Sequence, residues 1–73
     1  MDPILSTKDL GLSIRDARKA QALSQDDLAG MTGTGRRFIS DLESGKDTAQ
    51  IGKILHVLRS LGVALSAVQK WKK

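Results

Sequence analysis

Seventy-three residues, with 12 Lys and Arg against 8 Asp and Glu, one His and no Cys, describe a single small domain of net charge +4. The lack of cysteine removes disulfides, thiolate metal sites and cysteine nucleophiles, and suits a cytoplasmic protein better than a secreted one. No apolar run approaches the ~20 residues of a membrane span, the first residues lack a signal-peptide pattern, and the mild basicity is compatible with a polyanionic partner without requiring one.

Residues 1–5, with Asp2-Pro3 and no periodicity, read as a flexible arm. A first helix is predicted over 7–22: Ser6 caps it, Asp9 favours the positive end of its dipole, and Leu10, Ile14, Ala17 and Gln21 recur at helical spacing. Leu23 then turns back onto the core. Ser24 is the N-cap of a second helix over 25–32, where Asp26 and Asp27 suit the dipole, Leu28 and Ala29 face inward, and Gly33 supplies the left-handed end. Thr34 caps a third helix over 35–44, with Ile39 and Leu42 inward and Gly45 as its stop. Asp47 or Thr48 caps a fourth over 48–61, with Ile51, Ile54, Leu55, Leu58 and Leu61 as the buried stripe. Residues 63–69 alternate roughly and are β-branched at both ends, so a short strand after Gly62 is favoured. Leu61, Leu65 and Val68 also fall at helical spacing, and a continued helix is the other reading. The fold class is therefore all-α, four helices with a short C-terminal strand. A chain of this size buries only about 60% of its unfolded surface, which favours a dimer paired through Val63, Leu65 and Ala67.

The second and third helices, joined by the Gly33 turn, make a helix-turn-helix, a motif whose second helix can enter the DNA major groove. Arg36 and Arg37 stand in the first turn of that helix, where a guanidinium can grip guanine O6 and N7 with two parallel hydrogen bonds. They oppose the positive end of their own helix dipole, which makes little sense for stability alone. Asp41, four residues after Arg37, can hold that arginine's rotamer or accept from cytosine N4, and Ser40 shares the surface. Gln25 and the free N–H groups at the head of the second helix read as a phosphate clamp, with Ser24, Thr34, Ser44 and Lys46 as further backbone contacts. Phe38 reads as core, packed on the first helix, ahead of a contact with a thymine methyl.

His56 has no second His, Cys or paired carboxylate beside it and reads as structural or partner-facing. Gly33-Thr34-Gly35 lacks the Gly-Lys-Ser/Thr ending of a phosphate loop. No cofactor, metal site or nucleophile–base arrangement is expected, and an enzyme is the least favoured class. A protein-interaction adaptor that kept the fold but lost DNA binding is a rival, against which the arginine pair argues. Trp71, flanked by Lys70, Lys72 and Lys73, is either an anchor for a partner protein, a surface-packed ring with lysines on DNA, or part of a solvated tail.

Over 24–45 the pattern Ser-Gln-x-x-Leu-Ala, a turn glycine and Ile-Ser-x-x-Glu-x-Gly resembles the phage-repressor and Cro-like (XRE) family of helix-turn-helix regulators. That resemblance implies a lambda-repressor-like fold, base reading from Arg36 and Arg37, backbone or outer-base contact from Gln25, and an inward ion pair between Glu43 and Arg18. A glycine, Gly35, stands where members often place a polar reader. The leucine-rich stretch from Ile54 to Leu65 is similar to HipB-type antitoxins, in which a fourth helix runs into a strand that pairs with its twofold mate. This implies a homodimeric repressor on a palindromic operator in double-stranded DNA, and a HipA-type serine/threonine kinase toxin as partner. A stand-alone phage-type regulator or a restriction–modification controller is the alternative. The setting expected is the cytoplasm, with no membrane partner and association with the nucleoid, in a bacterial or phage system.

Overall fold

The computed structural model describes residues 3–71; Met1 and Asp2 of the expected arm, and Lys72 and Lys73 of the tail, lie outside the described residues. Helix α1 is Thr7–Ala20, entered through a cap in which Ser6 Oγ accepts from the Asp9 N–H at 3.0 Å while Asp9 Oδ2 accepts from the Leu5 N–H at 3.0 Å. It ends earlier than the expected 7–22. Gln21 is the C-cap, Ala22 takes φ +57°, and the Leu23 N–H returns to the Arg18 carbonyl at 3.1 Å. A left-handed alanine costs about 1 kcal/mol. The half-buried Leu23, which that turn folds onto the core, offsets it.

Helix α2 is Gln25–Thr32, opened by a reciprocal capping box between Ser24 and Asp27 with bonds of 2.9 and 2.8 Å. The Ser24 backbone N–H, donating to Asp27 Oδ2, and the Ser24 hydroxyl beside it hold the Asp27 carboxyl below the usual aspartate range. Gly33 closes the helix at φ +69°, a left-handed conformation that any side chain would strain. Helix α3 is Arg36–Glu43, shorter than the expected 35–44 and capped differently. Gly35 is its N-cap and has no side chain with which to cap, while the hydroxyl of Thr34, one residue earlier, is engaged with that of Thr32 at 2.9 Å. Helix α4 is Ile51–Ser60, with Gln50 rather than Asp47 or Thr48 as N-cap. A turn at 47–49 fills the first part of the expected 48–61.

Helix α3 packs on both α1 and α2, and α4 closes over α2. The core is Ile14 from α1, Leu28 and Ala29 from α2, Ile39 and Leu42 from α3, and Ile54, Val57, Leu58 and Leu61 from α4 and its end. The buried row of α4 is thus spaced i, i+3, i+4, i+7 from Ile54. It takes in Val57 and excludes Ile51 and Leu55, which are 65% and 41% exposed. Gln21 does not join the core either; its amide donates to the Leu61 carbonyl at 2.8 Å, tying the end of α1 to the end of α4. Beyond Gly62, residues 63–69 are neither helix nor paired strand within this chain. The continued-helix reading is overturned, since α4 stops at Ser60, and a strand has no neighbour among the described residues to pair with.

The tightest constraint on the α1–α3 contact is Gly11. A Cβ there would run into the Leu42 carbonyl oxygen and lie 2.8 Å from that of Glu43, both backbone atoms that cannot swing aside. Alanine would gain up to about 1 kcal/mol of helix propensity. Overpacking of this kind costs about 1–3 kcal/mol and more where backbone must move. Gly11→Ala is therefore expected to destabilise the domain by about 2 kcal/mol net, read as a lower urea midpoint; a stabilised variant would mean that the two helices part readily.

Candidate nucleic-acid interface

The recognition surface is the outer face of α3. Ile39 and Leu42 bury one side of the helix, and the eight residues of α3 are too few to persist without that packing. Arg36, Arg37 and Ser40 are therefore left on the opposite, solvent side, all exposed. The first-turn N–H groups of α3 have no side-chain cap, so the helix presents free donors and two guanidiniums at the same end. Arg36 lies 3.8 Å from Asp26, with both side chains more than two-thirds exposed, a contact that holds it only weakly. Arg37 makes no ion pair among the described residues.

Several expected contacts are engaged otherwise. Asp41 does not hold Arg37; its carboxylate accepts from Lys46 Nζ at 3.3 Å, because the turn after α3 brings Lys46 back alongside. The Ser44 hydroxyl donates to the Asp41 carbonyl at 2.9 Å, and Ser24 is committed to its capping box. Ser44, Lys46 and Asp41 thus form one cluster at the exit of α3, while Thr34 sits at its entrance. Phe38 is half-buried against the core beside α4, with the Lys53 ammonium 5.8 Å from the ring centre. It lines an open cleft of about 490 Å³ with Gly35, Lys53 and the exposed His56.

Behind α3 lies the polar centre of the molecule. Arg18 Nε and Nη2 donate to Glu43 Oε2 and Oε1 at 2.6 and 2.9 Å, a bidentate pair buried on both sides. Arg18 Nη1 donates to the Leu23 carbonyl at 2.7 Å, and Gln25 Nε2 donates to Glu43 Oε1 at 3.2 Å. The Gln25 amide accordingly turns inward, with one of its two N–H groups spent on Glu43. Burial by itself pushes the Glu43 pKa up, but the hydrogen bonds from Arg18 and Gln25, with the charges of Arg18 and Arg15, together hold it below the usual glutamate value. The same pairing raises Arg18 above its ordinary value against the effect of burial. Arg15 and Lys19, which sequence reasoning passed over, line the groove above this pair with Gln25, Ser40 and Ser44. Their i, i+4 spacing around Arg18 is the signal that marks them, since it puts three cations on one side of α1.

A family model for the helix-turn-helix matches residues 14–68. The uncharacterized HTH-type transcriptional regulator y4mF of Sinorhizobium fredii is 55% identical over 62 residues, which cover 85% of this chain and 82% of that protein. Among solved structures, a chain of the HipA-HipB-O2-O3 complex superposes with a TM-score of 0.86 at 21% identity, over 96% of this chain and 99% of its own; at that identity the likeness is one of fold. The restriction-modification controller protein C.AhdI from Aeromonas hydrophila superposes with a TM-score of 0.71 at 28% identity, over 80% of this chain and 84% of its own.

The buried pair sets a stability prediction. Arg18→Met leaves Glu43 buried without its main partner and is expected to cost about 3–5 kcal/mol at neutral pH, whereas Arg18→Met with Glu43→Leu is expected to recover most of it. Because the folded Glu43 pKa is depressed, its contribution is present above the ordinary glutamate pKa and is lost as pH falls through the lower folded value. Urea denaturation of the wild type and both variants between pH 3 and 7 measures this (about one transition per pH unit suffices). Equal losses in the single and double variants would show that Glu43 is not held by Arg18.

Proposed function

The chain belongs to the helix-turn-helix family, and from that premise we propose that it is a transcriptional repressor that binds a palindromic operator as a homodimer. The observation that carries this reading is the outer face of α3, where Arg36, Arg37 and Ser40 stand exposed around an uncapped helix N-terminus. A helix of this width fits the major groove, and arginine is the residue best suited to bidentate reading of guanine. Thr34 at the entrance of α3, the second amide N–H of Gln25 at the head of α2, and Ser44 and Lys46 at the exit of α3 would position the domain on phosphates.

The dimer would form through the apolar residues that one chain leaves uncovered. Ile51 and Leu55 on α4, with Leu65 and Val68 in the tail, are 65, 41, 47 and 77% exposed, and 63–69 is neither helix nor paired strand within the chain. Pairing of Val63, Leu65 and Ala67 with the same residues of a second copy would satisfy the free backbone and cover this surface at once. Among the described residues no helix is long and apolar enough to cross a membrane, and action on DNA implies a cytoplasmic setting.

The finer reading is an antitoxin that also binds a HipA-type serine/threonine kinase toxin. What supports it is the tail: Trp71 is 78% exposed at the end of the described chain, the setting in which a tryptophan serves as an anchor for another protein. The likeness in fold to a chain of the HipA-HipB-O2-O3 complex extends over 96% of this chain. The alternative, a stand-alone controller of the C.AhdI kind, has the same DNA-binding face and leaves Trp71 to the surface of the domain or to a solvated tail.

Two measurements test these levels separately. Arg37→Ala is expected to cost about 1–3 kcal/mol per half-site and to relax base preference there, across a panel of variants of the DNA upstream of the gene; footprints should fall in pairs about 34 Å apart. An unchanged preference would mean that the arginines touch only phosphate or solvent. Trp71→Ala is expected to weaken binding of the candidate kinase by about 2 kcal/mol or more with operator affinity nearly unchanged. Calorimetry that finds DNA affinity lost and kinase affinity intact would move Trp71 to the DNA side.

A further inference from the structure

Between α1, the head of α2 and the outer half of α3 runs an open groove of about 350 Å³. Arg15 and Lys19 form its α1 wall, Gln25 one end, Ser40 and Ser44 its α3 wall, and the Arg18–Glu43 pair its floor. The charges in it do not balance. Three cations face a single carboxylate, and that carboxylate is already met by Arg18 on both oxygens and by Gln25 on one. Arg15 and Lys19 are exposed and have no ion-pair partner among the described residues. The groove therefore offers a guanidinium, an ammonium, the second amide N–H of Gln25 and the Ser40 hydroxyl, over a floor whose one negative charge is neutralised.

Such a donor set suits a phosphate monoanion. The groove is continuous with the recognition face, because Ser40 in its wall lies four residues from Arg36 and three from Arg37 on α3. A phosphate seated there would flank the base pairs that the arginines meet. We propose that Arg15 and Lys19 close a clamp on one phosphate of the DNA backbone, held against Gln25 and Ser40, so that α1 takes part in DNA binding directly. This rests on the DNA-binding reading of α3 and adds to it two residues and a defined phosphate seat. Contacts of this kind carry no base preference; they set affinity and its salt dependence.

The test uses the full chain with Arg15→Gln, Lys19→Gln and the double variant, glutamine preserving helix propensity. Binding is measured to the DNA upstream of the gene and to a scrambled duplex of equal length, over a series of KCl concentrations. Each single variant is expected to weaken both duplexes by the same factor, roughly tenfold, and the double variant, which gives up the one phosphate contact altogether, to lower the slope of log K against log salt by about 1. Arg15→Lys should keep the affinity while Arg15→Gln loses it, which a merely structural role would not do. A wild-type chain that binds with the slope unaltered in the double variant overturns the clamp and leaves the reading of α3 intact. A wild-type chain that binds neither duplex overturns both. In a parallel arm the protein is titrated with inorganic phosphate and followed by NMR. Saturable shifts at Arg15 and Lys19, with DNA affinity unchanged in the variants, would make the groove a free-anion site and overturn the DNA assignment.

Discussion

The position of α3 depends on the buried pair between Arg18 and Glu43. One guanidinium joins α1 to the end of α3 through two bonds and to the turn before α2 through the Leu23 carbonyl, and Gln25 adds the head of α2 to the same carboxylate. Four segments thus converge on one charged centre. Desolvating both ions costs several kcal/mol, largely offset by their attraction, so the net gain in stability is small. The pair instead fixes orientation. A bidentate fork accepts one geometry, and an apolar contact of the same size would accept several. The left-handed Ala22, unusual for a residue with a Cβ, follows from it, because the turn that brings the Leu23 carbonyl under Arg18 needs that conformation.

Around this centre the α1–α3 contact is drawn close by the absence of a side chain at Gly11 and is pinned at its other end by Thr7 Oγ1 donating to the Gly45 carbonyl at 2.7 Å. An eight-residue helix held along its whole length can present an unrestrained outer face. Ile39, Leu42 and Glu43 carry the packing, and nothing in the core depends on Arg36, Arg37 or Ser40. That separation lets the outer residues change without loss of the fold. It also places the recognition face and the Arg15–Lys19 wall on one continuous surface, since both border α3.

The opposite side of the molecule has the reverse character. The row Ile54, Val57, Leu58 and Leu61 is consumed by the core, leaving Ile51 and Leu55 exposed on α4. Nine buried apolar residues among those described make a small core. Ile51 and Leu55 on α4 and the unpaired backbone of 63–69 after it are both left without cover within the chain, so a second copy that covered them would relieve both.

The four helices, the Gly33 turn and the arginines at the head of α3 were legible in the sequence, because each rests on local chemistry: a cap three residues before its partner N–H, a glycine where φ must be positive, a stripe at period 3.6. Where helices ended was less so. The periodicity of 7–22 and 48–61 ran past ends that Leu23 and the turn at 47–49 set by packing. Ile51 and Leu55 fitted the stripe as well as Val57 did, and only the seat of α4 over α2 decided which row was buried. The same holds for the polar residues. Sequence placed Asp41 within reach of Arg37, but the chain's return after α3 offered it Lys46, and Gln25 turned inward because Glu43, distant in sequence, lay beneath it. What the sequence determined by itself is the local order of helices, caps and turns, since those forces act within a few residues. Which side chains remain free for DNA, and that Arg15 and Lys19 are among them, was decided only by the tertiary structure, because a charge is free or spent according to neighbours brought from elsewhere in the chain.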